Sequence, residues 1–279
     1  MTRRKFLQTT AGLVFAVQVG AREVRAGQEA TNLRIGMCDW SLRKAANLEA
    51  IALAREIGLD GVEVSGLHLR RPEVQEKYLK AAKQYNIEIP SVALGILNQV
   101  PLKSEPKAAI WLADSITVAC NLGAKVILLA FFGKGELKME NEQEISRVVD
   151  VLKELGPRAA KAGVILGLEN TLSAEDNLRI LERVGEPAVQ VYYDLKNSAN
   201  RGRDVPREIR LLGERICQVH LKNGRLLLSQ PGNVDFPACA EALRDIGYRG
   251  WLILETSSPH DLVADTRANI QYVRETFGG

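Results

Sequence analysis

Four residues of the chain have side chains of the types that can hold a hard divalent cation and move protons beside it. Glu169, Asp194, His220 and Glu255 each stand at the end of an apolar or aromatic run. The runs close on Gly167-Leu168-Glu169-Asn170, Tyr192-Tyr193-Asp194-Leu195, Val219-His220-Leu221-Lys222 and Leu254-Glu255-Thr256. A carboxylate at the end of a buried strand is costly unless it is paired or metal-bound. Three carboxylates and one imidazole form an oxygen-rich donor set, which favours Mn2+ or Mg2+ and admits Co2+, Fe2+ or Zn2+. A structural zinc site would show thiolates instead. Where such an ion takes about six ligands, four protein groups leave positions for a substrate carbonyl and a neighbouring hydroxyl. The ion then polarises the carbonyl and stabilises an enediolate. A single strand-end carboxylate is as often a helix cap or an ion-pair partner as a ligand. Four in succession argue for a site.

Apolar runs occur at 33–38, 61–65, 87–96, 125–131, 164–169, 188–194, 216–222 and 251–255. Most are rich in Val, Ile and Leu on consecutive positions, as strands covered on both faces are. Helical spacing fills the intervals, most clearly at Ile145, Val148, Val149, Leu152 and Leu155, and again at Ile270, Val273 and Phe277. Gly58, Gly123, Gly163, Gly185, Gly213 and Gly247, and once Asn86, stand just before the next apolar run. A left-handed residue closing a helix is most easily Gly, then Asn. Eight strand–helix units within about 250 residues predict a single-domain α/β fold, the (β/α)8 TIM barrel. A doubly wound open sheet is the alternative. It usually carries G-x-G-x-x-G after its first strand, where this chain has Cys38-Asp39-Trp40-Ser41. In a barrel the active site lies at the carboxyl ends of the strands, which is where the four residues stand.

Leu168-Glu169-Asn170, Tyr193-Asp194, Val219-His220-Leu221-Lys222 and Leu254-Glu255 resemble the sugar phosphate isomerase/epimerase group of xylose-isomerase-like barrels. Asp60-Gly61-Val62-Glu63-Val64 adds to the likeness, which spans roughly residues 33–277. The resemblance implies one metal held by Glu169, Asp194, His220 and Glu255. It also implies that Glu169 and Glu255 are the catalytic pair on opposite faces of a sugar. One removes a proton beside the carbonyl, and the other returns a proton to the opposite face. Three positions depart from the ketose epimerases of that group. Asn197 and Gln218 stand where those carry His, and Leu226 stands where they carry Arg, with Arg225 one residue short. The metal site therefore transfers better than the sugar pocket.

The function implied is a metal-dependent sugar isomerase or epimerase that abstracts a proton next to a carbonyl. A metal-dependent lyase on keto-sugars or keto-glycosides starts from the same abstraction. A non-catalytic carbohydrate-binding barrel is the reading from another class, and the presence of both glutamates counts against it. With three histidines, His68, His220 and His260, the trinuclear-zinc endonuclease branch of the superfamily is disfavoured.

Substrate contacts are expected from Glu63, Asn170, Asn197, Lys222 and Trp40. Lys222 lies two residues past His220 on the same strand face, where it stabilises an oxyanion or pairs with a carboxylate. Phe131 and Phe132 join Trp40 as an apolar wall for a sugar, or as core. His68 and His260 read as surface loop residues. Gly133-Lys134-Gly135 lacks the full phosphate-loop motif.

Residues 1–26 read as a signal peptide of the twin-arginine type, 27–32 as a linker and 33–279 as the barrel. The leader holds Thr2-Arg3-Arg4-Lys5-Phe6-Leu7-Gln8, a short apolar run over 11–19, and Val24-Arg25-Ala26 as a cleavage exit. That run is too short for a stable membrane span. An ordinary secretory signal is the alternative. Export predicts a periplasmic protein, the twin-arginine machinery as partner, no stable membrane anchor, and free or glycosidic rather than phosphorylated sugars. Arg3, Arg4, Lys5, Arg22 and Arg25 outweigh Glu23 and account for the whole net charge of +3. The remainder is near neutral, which excludes a nucleic-acid partner. Cys38, Cys120, Cys217 and Cys239 form no CxxC and are expected to be buried free thiols. Oligomeric state stays open, an oligomer included.

Overall fold

Eight parallel strands close into a barrel in sequence order, each paired with the next and the last with the first. They are β1 Arg34–Cys38, β2 Gly61–Ser65, β3 Ser91–Leu94, β4 Val126–Ala130, β5 Ile165–Glu169, β6 Val189–Asp194, β7 Ile216–Leu221 and β8 Trp251–Leu254. The computed structural model describes residues 33–278. The signal peptide expected over 1–26 and the linker over 27–32 lie outside the described residues.

The surrounding helices are α1 Glu49–Ile57, α2 Pro72–Tyr85, α3 Pro106–Leu122, α4 Glu142–Ala162, α5 Ala174–Val184, α6 Leu195–Asn200, α7 Val205–Leu212, α8 Phe236–Asp245 and α9 Leu262–Phe277. Among the described residues, none is long and apolar enough to cross a membrane. The helices bury one stripe each against the outward strand residues. In α4 that stripe includes Ile145, Val148, Val149, Leu152 and Leu155, the spacing legible in the sequence.

All seven expected cap residues take positive φ. Gly58, Asn86, Gly123, Gly163 and Gly185 close helices in the left-handed region. Two differ in detail. Gly213 has ψ −129° and opens a 3-10 turn, and Gly247 follows the cap residue Ile246.

Most strand boundaries lie within a residue of the apolar runs. The third is the exception, since the run over 87–96 contains a strand only at Ser91–Leu94. Pro90 has no N–H for a ladder, residues before it make one isolated bridge from Glu88 to Gly61, and Gly95–Asn98 turns into 3-10 helix. The cysteine expectation also needs correcting. Cys38 and Cys239 are buried, but Cys217 is partly exposed and Cys120 is exposed. Cys120 lies on α3 outside the buried stripe of Ala108, Trp111, Leu112, Ser115, Ile116, Val118, Ala119 and Leu122.

Register decides which side chains look down the barrel axis. Residues facing each other across a parallel pair share a face, and alternate residues switch faces. Cys38 aligns with Glu63, Ala130 with Glu169 and Asp194 with His220, so these groups point inward. Between β6 and β7 the pairing jumps from Val191↔Ile216 to Tyr192↔Gln218, leaving Cys217 as an extra residue. That bulge changes the parity of β7 and turns Gln218 and His220 toward the axis.

Candidate active site

Glu169 and Asp194 end β5 and β6, His220 lies on β7, and Glu255 directly follows β8. One ligating atom from each falls within 4.8 Å of all the others. His220 Nδ1 is the hub. It lies 3.0 Å from Glu169 Oε1, 3.7 Å from Glu255 Oε2 and 3.9 Å from Asp194 Oδ2. Asp194 divides its oxygens between two tasks. Oδ1 accepts the Asn197 N–H at 2.7 Å and caps α6. Oδ2 is buried without a hydrogen-bond partner. A buried carboxylate oxygen with no aligned hydrogen-bond donor, facing two more carboxylates and a ring nitrogen, fits a hard divalent cation.

Lys222 shares this space. Its Nζ lies 2.6 Å from Glu255 Oε2 and 2.8 Å from Asp194 Oδ2. The approach to Asp194 is an ion pair off the hydrogen-bonding direction, so Oδ2 remains without an aligned donor. Trp40 Nε1 donates to Glu255 Oε1 at 3.2 Å, and its ring stands edge-on to His220.

These surroundings separate the two glutamates. Burial pushes Glu169 up to about 7, against the pull of His220. Burial acts on Glu255 in the same direction, but His220, Lys222 and Trp40 together hold it below its ordinary value. Asp194 is raised by burial, with Lys222 and His220 opposing. Lys222 is held above its ordinary value. Burial disfavours its charge, and Asp194 and Glu255 outweigh that.

Behind His220 lies a layer that the sequence reading did not assemble. Nε2 faces Glu63 Oε1 at 3.2 Å and Cys38 Sγ at 3.4 Å. Tyr192 tilts over the imidazole with ring centroids 4.5 Å apart. Gln218 donates to Ser91 Oγ and to the Tyr192 hydroxyl. Burial pushes the Cys38 thiol and the Tyr192 phenol well up, so both keep their protons. The only sequence signal for this layer was spacing, since Gln218 and His220 lie two apart on one strand face. Asp39 was passed over as well. Its carboxylate takes the N–H groups of Ala46 and Ser65 and the Ser65 hydroxyl, which anchors the loop carrying Trp40.

The expected substrate contacts divide. Trp40 and Lys222 are at the site, both engaged with Glu255. Glu63 is 0% exposed and cannot reach a sugar. Its carboxylate is spent beneath the imidazole. Asn170 exchanges hydrogen bonds with Asn177 and accepts the Leu172 N–H, which commits its amide to the loop after β5. Asn197 uses its backbone on Asp194, and its buried side-chain Nδ2 has no partner. Phe131 belongs to the core between strands and helices. Phe132 and Trp40 instead top the apolar cluster inside the barrel. His68 is half-buried against Tyr78 rather than on the surface, whereas His260 is exposed. Gly133–Gly135 is one 3-10 turn.

Residues 51–276 match the family model described as xylose isomerase-like TIM barrel. A curated relative, the L-ribulose-5-phosphate 3-epimerase UlaE of Salmonella paratyphi A, is 28% identical over 233 residues, covering 75% of this chain and 81% of that protein. Among solved structures, the D-psicose 3-epimerase of Clostridium cellulolyticum H10, crystallised with D-tagatose, superposes with a TM-score of 0.77 at 17% identity, covering 88% of this chain and all of that one (100%). The 3-keto-D-glucoside 4-epimerase YcjR of E. coli superposes at 0.71 and 17% identity, covering 87% of this chain and 99% of that one. At these identities the superpositions show a common fold. The family match covers most of the barrel, and the chain belongs to the xylose isomerase-like TIM barrel family.

Proposed function

We propose that this protein is a metal-dependent sugar isomerase or epimerase that works by proton abstraction next to a carbonyl. The observation that carries the reading is the convergence of Glu169, Asp194, Glu255 and His220 Nδ1 within 4.8 Å at the mouth of the barrel. The epimerase names of its relatives agree with it. Glu169, Asp194, His220 and Glu255 would hold the ion, and the oxygen-rich set favours Mn2+ or Mg2+. When bound, the ion supplies Lewis-acid polarisation of the carbonyl and charge stabilisation of an enediolate.

The protein's own groups do the proton work. Glu255, the more acidic of the pair, removes the proton beside the carbonyl through its carboxylate. Glu169, with the higher affinity for a proton, delivers one to the opposite face. Environments that push two carboxyls apart assign acid and base in this way. Lys222 places a positive charge next to the carboxylates and offsets the charge developing on the substrate oxygen. Trp40 orients Glu255 and closes one side against water.

We also propose that residues 1–26 direct export through the twin-arginine machinery to the periplasm. The support is the Arg3-Arg4 pair, the short apolar run and the Val24-Arg25-Ala26 exit. That location favours free or glycosidic keto-sugars over phosphorylated ones.

The test is a screen of free, keto and glycosidic sugars in deuterated buffer with the Mn2+-loaded protein. Uptake of deuterium at a carbon beside a carbonyl, with formation of the epimer or isomer, is the expected result. Sugar binding without any such exchange overturns the enzymatic reading. Appearance of an unsaturated sugar overturns the isomerase outcome in favour of elimination. Metal content of wild type beside Glu169→Gln and His220→Ala tests the ligands, and equal content in all three overturns them.

A further inference from the structure

Proton transfer has no use for Glu63, yet this carboxylate is completely buried against a metal-ligand candidate. Its two oxygens face four groups that can donate. Oε1 faces His220 Nε2 at 3.2 Å and the Cys38 thiol at 3.6 Å. Oε2 takes the Ser91 hydroxyl at 2.5 Å and the Tyr192 hydroxyl at 2.9 Å. The directions of the two hydroxyl bonds follow from Gln218. Gln218 Nε2 donates to both hydroxyl oxygens, at 2.8 and 2.9 Å, so each hydroxyl proton must point at Glu63. The opposite orientation of the Gln218 amide would draw both protons away and strip Oε2 of its donors. A carboxylate has about four lone-pair sites; the two hydroxyls fill those of Oε2, and Oε1 is left facing the ring and the thiol. An ionised carboxylate has nothing to donate, so the 3.2 Å contact between Oε1 and Nε2 is a hydrogen bond only when the ring nitrogen carries the hydrogen.

We propose that Glu63 is a positioning residue that locks His220 with its hydrogen on Nε2, leaving Nδ1 to face Glu169, Asp194 and Glu255 as the metal-binding atom. This deepens the metal-dependent reading above and rests on it for its purpose. Histidine ligands need such a partner, because a free imidazole divides its hydrogen between two nitrogens and turns about its bond. Gln218 is the outer member of the lock. Its departure from the epimerase pattern is a change in the floor of the site, one layer below any sugar. The trio Cys38, Glu63 and His220 Nε2 is close enough to suggest a second, softer ion site. The hydrogen bonds that Glu63 already accepts from Ser91 and Tyr192 argue that it is a hydrogen-bond knot instead.

Ring 15N spectra of histidine-labelled protein test the lock directly, since only three histidines contribute. In metal-free wild type, His220 is expected to show a protected Nε2–H, which both the neutral and the charged ring would carry under this scheme. A bare Nε2 overturns the proposal whether or not any variant folds. Glu63→Leu, which removes the acceptor, is expected to lose that signal and to weaken Mn2+ binding by about 10- to 100-fold in calorimetry. Glu63→Gln keeps an acceptor oxygen if the Gln218 amide turns over, and is expected to restore the signal. A folded Glu63→Leu with the wild-type signal and wild-type Mn2+ affinity overturns the lock. Zinc titration to one equivalent, unchanged by Cys38→Ser, supports the knot. A second equivalent that Cys38→Ser removes overturns it. A wild type that binds no divalent ion defeats the metal reading alone, because the Nε2–H measurement is made without metal.

Discussion

Glu169 and Glu255 flank a single imidazole nitrogen, at 3.0 and 3.7 Å, in unlike electrostatic settings. Glu169 is buried, with His220 the main group favouring its charge, and rises to about 7. Glu255 lies between Lys222, Trp40 and His220 and falls below its ordinary value. On the proposed mechanism, two chemically identical side chains would divide the work through these settings, one giving a proton and the other taking it.

Replacing either glutamate should stop exchange at the substrate carbon. Glu169→Gln and Glu255→Gln are each expected to lower deuterium incorporation by about 10²- to 10⁴-fold, the usual worth of a positioned acid or base. Measurement at saturating Mn2+ separates this from weakened metal binding. Exchange within tenfold of wild type would remove that residue from the proton-transfer pair.

The metal-free protein should lose stability as pH rises from about 4 to about 7. Burial raises Glu169 from 4.5 to about 7 and Asp39 from 3.8 to about 6. Across those windows the folded chain holds protons that the unfolded chain has released, so stability falls with pH. Urea unfolding of the chelated protein between pH 4.5 and 7.5 measures this. A midpoint that climbs across that range contradicts it. Cation binding near pH 6 should likewise release protons, visible as a buffer dependence of the binding heat.

Lys222 acts as a resident cation between Asp194 and Glu255. Lys222→Met leaves two partly buried carboxylates facing each other. It is expected to lower Tm of the metal-free protein by about 5 °C, allowing for partial exposure. Saturating Mn2+ should recover most of the loss by replacing the missing charge. Equal losses with and without Mn2+ would mean that Lys222 serves packing alone.

Trp40→Phe keeps the ring but deletes the N–H that holds Glu255 Oε1. A hydrogen bond to a charged group contributes about 1.5–3 kcal/mol, so kcat/KM should fall about 10- to 100-fold. The melting temperature should stay near wild type. Unchanged kinetics would show that the indole N–H does not set the position of Glu255.

Most of the barrel was legible because its signals are local. Gly123 and Gly163 mark helix ends through backbone sterics alone, and the apolar runs over 125–131 and 164–169 announce strands covered on both faces. The inward placement of Glu169, Asp194, His220 and Glu255 followed from the rule that strand ends face the mouth. The misjudged residues depend on partners far away in the chain. Glu63 looked like a sugar contact because nothing local tells that Ser91, Tyr192 and His220 will enclose it. Asn170 likewise lost its amide to Asn177, a contact set by how the loop after β5 folds back on α5. Pro90 was readable in principle. Its missing N–H cuts the third apolar run short, and the run's composition masked that.

The one-residue irregularity at Cys217 gives the seventh strand a length change that it can absorb. Loops beyond the strand ends can gain or lose residues without disturbing which side chains look inward. A single deletion between Ile216 and His220 can be absorbed in the same way, since it takes out the extra residue and regular alternation then keeps Ile216 outward and the imidazole inward. Length variation should therefore be tolerated in the connecting segments and, by one residue, between Ile216 and His220, while strands without a bulge keep their spacing.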